Sequence, residues 1–197
     1  MRSVADFYQD CIAAVDQQPP LDVQLADAVS CVLAEDVRAP FNLPVADLAA
    51  CDGYAVRASD CSRAALDAPV TLPVTEEIRA GVVDPAALVP GTAIRIASGA
   101  PVPAGADAVV ALEFTDHGVA EVGVRSAPAV GENIRRRAED VAEGQVVLRS
   151  GARVGARQVA LLAGVGRSRV LVHPRPRVVV LSIGDELVEP GRTARPG

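Results

Sequence analysis

The sequence predicts a mostly β protein with some α-helix, and three observations carry that reading. Aromatic residues are only 3% of the 197 residues and Trp is absent. A core drawn from the 50% hydrophobic content must therefore be built largely from Val, Leu, Ile and Ala, and branched Val favours strands. Fifteen Pro and sixteen Gly are spread along the chain and cut it into many short elements, which suits strands better than a helical bundle. From about Pro44 to Val130 short apolar runs recur between Gly and Pro, the pattern of a small β-barrel or sandwich.

Taken in order, Ser3 followed by Asp6 marks a helix start. Val4, Phe7, Cys11, Ile12 and Val15 then fall on one helical stripe, and Pro19-Pro20 ends the helix. Leu25 to Val29 reads as a short helix or turn, and Val32 to Val37 as a short strand before Pro40. The β region contributes Tyr54-Ala55-Val56, Val70 to Val74, Ala93 to Ile96, Ala108 to Val110 and Val119 to Val124. After Gly131, Val146 to Leu148 and Ala152 to Val154 read as strands, Arg157 to Ala163 as a short helix, and Arg169 to Val172 as another strand.

Beyond Pro174 and Pro176 the run Val178-Val179-Val180-Leu181 reads as a strand buried on both faces, the kind found in parallel α/β sheets. Gly184-Asp185-Glu186 follows it. The carboxyl end of such a strand is where α/β sheets place ligands, so Asp185 and Glu186 are candidates on position alone. A helix N-cap role for Asp185 competes. Almost nothing follows, so the sequence reads as entering an α/β domain and then stopping. One such strand cannot bury its own faces and is expected to be exposed, mispaired or disordered.

Charge and cysteine usage exclude several classes. All 19 basic residues are Arg, so lysine chemistry is excluded and any cationic group is a planar, permanently charged fork. A net charge of -6 and a pI near 4.9 argue against nucleic-acid binding. An acidic substrate needs a local Arg cluster, and Arg135-Arg136-Arg137 is one. Cys11, Cys31, Cys51 and Cys61 form no Cys-x-x-Cys pair, and His117 and His173 are far apart in sequence, which argues for reduced thiols and against a zinc site. There is no charged-then-apolar leader, no apolar run near the roughly 20 residues of a membrane helix, and no lipidation signal. The expectation is a cytoplasmic protein with neither nucleic acid nor membrane as partner.

Several motifs carry chemistry beside an ordinary structural reading. Cys51-Asp52-Gly53-Tyr54 puts a carboxylate before a strand, although Asp-Gly is also a common turn. Ser98 to Asp107, rich in Gly and Pro, can present a hydroxyl and backbone N–H groups to an anion, or form a rigid connection. Gly131 to Asp140 joins the triple-Arg run to acids at both ends. Its arginines are suited to phosphate or an oxyanion and Asp140 to a divalent cation, against the alternative of a solvated charged face.

The segments 47–57, Pro90 to Glu113, Gly131 to Asp140 and Pro176 to Gly191 occur in an order that closely resembles the first half of the molybdopterin molybdenumtransferase family, the MoeA proteins and the homologous part of gephyrin. The resemblance extends to Leu33-Ala34-Glu35-Asp36-Val37 and Leu161-Leu162-Ala163. It implies an elongated linker-like domain from residues 1–43 and 131–175, an inserted β-barrel-like domain at 44–130, and the start of a truncated molybdopterin-binding α/β domain at 176–197. It also implies a homodimer with an active cleft shared between subunits. The implied reaction transfers molybdenum from molybdate to the dithiolene of adenylylated molybdopterin and releases AMP, with Mg²⁺. The upstream molybdopterin adenylyltransferase is an implied partner.

The matching positions are Asp52, Ser98, Asp140 and Glu186, of which Asp52, Asp140 and Glu186 would hold Mg²⁺. Arg135, Arg136 and Arg137 would contact phosphate or molybdate, and Asp185 is a further candidate for substrate binding. The family pattern has Met where Cys51 stands, Ser at Ala49, Thr at Ser98, Gly at Ala138 and Thr at Ile183. Because most of the α/β domain is missing, the chain is expected to be inactive alone. A dimerising scaffold without catalysis is the alternative within the family, and an unrelated β-rich anion-binding protein the alternative outside it.

Overall fold

The computed structural model describes residues 2–193. In chain order the regular elements are α1 (Val4–Ala13), β1 (Leu21–Gln24), β2 (Val32–Leu33), β3 (Val37–Arg38), β4 (Leu48–Ala49) and β5 (Gly53–Val56). Then come β6 (Val70–Ile78), β7 (Ala93–Ile96), β8 (Ala108–Ala111), β9 (Glu121–Val124), β10 (Ile134–Arg135), β11 (Val146–Leu148), α2 (Ala156–Gly164) and β12 (Arg169–His173). The chain is mostly β, as its composition predicts. It forms two compact units: one from the chain up to Glu35, Arg149–Ala163 and the chain from Arg167 onward, the other from Asp36–Leu148 with Gly164–Gly166.

In the first unit, α1 begins as predicted with a capping box. The Ser3 hydroxyl accepts from the Asp6 N–H at 3.1 Å, and the Asp6 carboxylate accepts from the Ser3 N–H at 3.3 Å. The helix ends at Ala13, not at Pro19-Pro20. The Gln17 side chain and the Gln18 carbonyl are instead bonded to the His173 ring at 3.0 and 2.7 Å, so tertiary contacts claim this stretch before the prolines do. No residue of α1 is buried, and Phe7 and Ile12 on its stripe stay 59% and 54% exposed.

The sheet of this unit is β1-β12-β2, antiparallel throughout. β1 has no sequence signature, because only Val23 of its four residues is even half-buried, and its pairing comes from β12. The single strand expected over Val32 to Val37 is two strands. The Ala34 N–H donates to the Leu171 carbonyl, and the Glu35 carboxylate accepts from the Leu171 N–H at 3.0 Å. A side chain thus takes over from the ladder and ends β2. Ala152 to Val154 is also not a strand, making one isolated bridge from Arg153 to Val32.

The run Val178 to Leu181 forms no strand and is exposed, as expected of one that cannot bury its own faces. It pairs with no described strand, and its side chains, with that of Ile183, are 77–91% exposed. This is the state expected of a sheet strand that lacks both neighbours and covering layers. Within the segment 176–197, residues 194–197 lie outside the described residues.

The second unit is built on a five-stranded sheet in the order β8-β5-β7-β6-β9, with β6 and β7 parallel and the other pairs antiparallel. Alternate residues divide between two apolar clusters. Tyr54, Val56, Ala93, Val110 and Val122 belong to one, and Ala55, Ile78, Ile94, Ile96 and Val109 to the other. Both faces of β5 and β7 are therefore covered, and each fully buried Val or Ile contributes roughly 1.5–3 kcal/mol. The Tyr54 hydroxyl keeps its hydrogen bond by donating to the Gly118 carbonyl at 2.9 Å. All four cysteines are free thiols, as their spacing predicts.

Candidate functional site

The two residues of β4 are the point on which three of the motif segments converge, all within the second unit. On one side Ala49 lies opposite Ile134 and Leu48 opposite Arg135 of β10, and the Ala50 N–H donates to the Asn133 carbonyl at 2.9 Å. On the other side the Ala49 N–H donates to the Ala100 carbonyl at 2.9 Å, and the Gly99 N–H donates back to the Ala49 carbonyl at 2.8 Å. Segments 47–57, 98–107 and 131–140 are thereby laid side by side by backbone bonds. Ala49, 1% exposed, has the small side chain that such close packing admits.

At the edge of this arrangement Asp52 and Ser98 meet. Asp52 Oδ1 accepts from the Ser98 N–H at 2.7 Å, while the Ser98 hydroxyl donates to the Ala50 carbonyl at 3.4 Å. Both residues are exposed. Beside Asp52, the Cys51 thiol is pushed above its ordinary range, first by burial and then by the charges of Glu113, Asp52 and Glu132. It is a neutral thiol at pH 7 and not a nucleophile.

The triple-Arg run is tied down rather than free. Arg136 ion-pairs with Asp47 at 2.7 Å, and the Arg137 N–H donates to the same carboxylate at 2.8 Å. Arg135 ion-pairs with Asp140, so the Asp140 charge is met by a guanidinium. Only the Arg137 side chain of the three has no ion pair among the described residues. Asp185 and Glu186 lie in the first unit, exposed, in a turn closed by the Leu187 N–H and the Gly184 carbonyl. No helix begins there among the described residues, so Asp185 caps none.

Among the described residues no three His, Cys, Asp or Glu side chains are grouped to hold a metal ion. The donor chemistry still fits Mg²⁺, which takes only one or two protein carboxylates beside water and substrate oxygens. Asp52 Oδ2 has no protein partner among the described residues and suits that use.

Two residues of the same cleft were missed by sequence reasoning. Asp52 borders a small cleft lined also by Glu77, Arg95, Ala97 and Leu112. The signal for Arg95 was present, since it is the one charge inside Ala93-Ile94-Arg95-Ile96. Glu77 had none, because β6 runs on four residues past the strand expected to end at Val74.

Ala138, where the resemblance leads one to expect Gly, has a strained backbone. Its φ is +64°, in the left-handed region that favours glycine. Ala138→Gly is expected to raise stability by up to about 1 kcal/mol, read from urea unfolding. A lower midpoint would show that the chain entropy lost by glycine outweighs the relieved strain.

Three carboxylates are held below their ordinary range, each first by a backbone N–H: Asp47 by that of Arg137, Asp60 by that of Gly91 and Asp116 by that of Gly123. Side-chain bonds from Arg136 and Arg57 add to the first two. Their stabilising effect is complete above the unfolded carboxylate pKa, about 3.9, and is lost as pH falls through the depressed folded values. The melting temperature is therefore expected to be flat from pH 7 to about 5 and to fall below about 4. Asp116→Asn should lessen that acid dependence, and an unaltered profile would mean these bonds do not couple to folding.

Residues 2–166 match the family described as the MoeA N-terminal region, domains I and II. The chain is 46% identical to molybdopterin molybdenumtransferase 2 of Mycobacterium tuberculosis over 197 residues, covering 100% of the chain and 49% of that protein. It is 38% identical to molybdopterin molybdenumtransferase of Bacillus subtilis over 150 residues, 74% of the chain and 35% of that protein. The crystal structure of the molybdopterin biosynthesis MoeA protein from Pyrococcus horikoshii superimposes with a TM-score of 0.75 at 39% identity, covering 80% of the chain and 42% of that structure. The chain spans about half the length, or less, of these relatives.

Proposed function

The chain belongs to the MoeA family through its N-terminal region, and on that premise we propose that it is the first half of a molybdenum cofactor biosynthesis enzyme. The complete protein inserts molybdenum from molybdate into the dithiolene of adenylylated molybdopterin and releases AMP. What supports this reading is the convergence on β4, which brings the Asp52, Ser98 and Arg135 to Asp140 segments together in one unit.

In this reading Asp52, and Asp140 once Arg135 releases it, would offer carboxylates to Mg²⁺, while Glu186, the third carboxylate of the resemblance, lies in the other unit. When bound, the cation offsets negative charge developing on the leaving phosphate. Ser98 orients Asp52 through its N–H. Arg137, whose guanidinium makes no ion pair among the described residues, contacts phosphate or molybdate, joined by Arg135 and Arg136 when they exchange their carboxylates. The protein works as a cytoplasmic homodimer with a shared cleft and receives its pterin from the adenylyltransferase upstream. The exposed apolar stripe of α1 supports an assembly of this kind.

Molybdate-dependent AMP release from adenylylated molybdopterin tests the reading. The complete protein is expected to turn over, and the 197-residue chain alone is expected not to. Turnover by the chain alone would sink the claim that it is half of a site. A complete, dimeric protein without AMP release would favour the scaffold reading.

A further inference from the structure

We propose that Arg95 binds a tetrahedral oxyanion of the substrate in the cleft beside Asp52, an assignment that rests on the transferase reading above. β7 is the central strand of the five-stranded sheet, and Ala93, Ile94 and Ile96 on it are 0–1% exposed. Arg95 is the exception, a half-buried charged residue on that strand that lines the cleft. Holding a cation partly out of water is costly unless a carboxylate or anion meets it.

Arg95 makes no ion pair with any carboxylate among the described residues. Arg95 stands opposite Tyr54 on β5 and beside Glu77 on β6. Glu77 is the carboxylate best placed by register, yet it ion-pairs with Arg79 at 3.6 Å. No ion pair joins Arg95 to it, in a chain with 25 acidic residues against 19 basic ones.

The surroundings fit an anion of limited size. The cleft measures about 120 Å³, and Gly53, Ile96, Ala97 and Leu112 complete its wall with Asp52. That has room for a tetrahedral oxyanion. Gly53 and Ala97 keep the wall low, so that the planar guanidinium can offer two parallel N–H bonds to an oxyanion. Strand alternation puts Arg95 and Ala97 on one face, and Ser98 follows at once with its N–H on Asp52. Asp52 and Arg95 therefore present opposite charges to the same small volume. Free molybdate and the phosphoanhydride of adenylylated molybdopterin share this oxyanion chemistry.

In the complete protein, Arg95→Ala is expected to raise the KM for one of these substrates roughly ten- to hundredfold, with kcat changed by less than about threefold. A rise confined to molybdate identifies the free oxyanion, and one confined to the adenylylated pterin identifies the phosphoanhydride. Arg95→Lys should fall between, because it keeps the charge and loses the fork, while melting temperatures stay within a few degrees. Arg95→Gln serves where the alanine variant fails to fold. Calorimetric titration of molybdate and of AMP into the complete protein judges Arg95 without turnover. A tenfold or greater loss of affinity for either probe supports the assignment even if the wild-type protein releases no AMP, a result that would overturn only the transferase reading. Unchanged KM values in a folded variant, equal affinities, or no binding of either probe by the wild type overturns it.

Discussion

Replacing Gly53 by alanine destabilises the second unit by at least about 3 kcal/mol, a drop of roughly 6–12 °C in melting temperature. Gly53 begins β5, which lies between β8 and β7, with Gly53 opposite Ala111 and Ile96. A Cβ there would collide with the Val110 carbonyl oxygen and crowd Ala111 Cα, both of them backbone. No rotamer change relieves a clash with a main-chain carbonyl, so either β8 shifts and its pairing with β5 is disturbed, or the strand does not form. The unit has no other strand to take the place of β5, which contributes buried residues to both apolar clusters. Thermal unfolding followed by circular dichroism decides the matter, with Ser98→Ala as an exposed control. A fall of less than about 2 °C would show that the β5–β8 spacing is soft.

Asp52→Asn in the complete protein is expected to lower the rate of AMP release by about 100-fold or more, with the fold intact. The substitution isolates charge from geometry. Asparagine keeps the oxygen that accepts the Ser98 N–H at 2.7 Å and keeps the side-chain volume. Asp52 is exposed, so little packing energy is at stake. What disappears is the negative charge suited to a cation and set against Arg95 across the cleft. Asp52→Ala, which also removes the acceptor, should cost the same activity and additionally loosen the Ser98 loop. If Asp52→Asn retained full turnover and Asp52→Ala alone failed, Asp52 would be a loop-positioning residue, and the cation role in the proposed function would have to move to Glu186 or Asp140.

Much of this arrangement was legible because its signals are local. The Ser3 and Asp6 capping pair started α1 as written, and the apolar runs at 54–56, 93–96 and 108–110 became the buried strands β5, β7 and β8. Asp52 and Ser98, 46 positions apart, were both nominated, yet nothing local says that the N–H of one is held by the carboxylate of the other. β1 was invisible because an edge strand with one half-buried residue has no period-2 pattern to read. The break in Val32 to Val37 was invisible because the side chain of Glu35 ends the strand by bonding to Leu171, 136 residues away.

By itself the sequence determined the strand-rich class, the positions of the buried runs, the free thiols and the residue types available for chemistry. Backbone preference and apolar period are properties of neighbouring residues and survive without a fold. Tertiary structure alone decided that Gly53 is glycine for the Val110 carbonyl rather than for a turn, and that Asp47, not solvent, meets Arg136. It also decided that Arg95, half-buried and with no ion pair among the described residues, shares a cleft with Asp52. Each of these depends on what a distant segment places within a few ångströms, and a chain read one window at a time carries no distance between its windows.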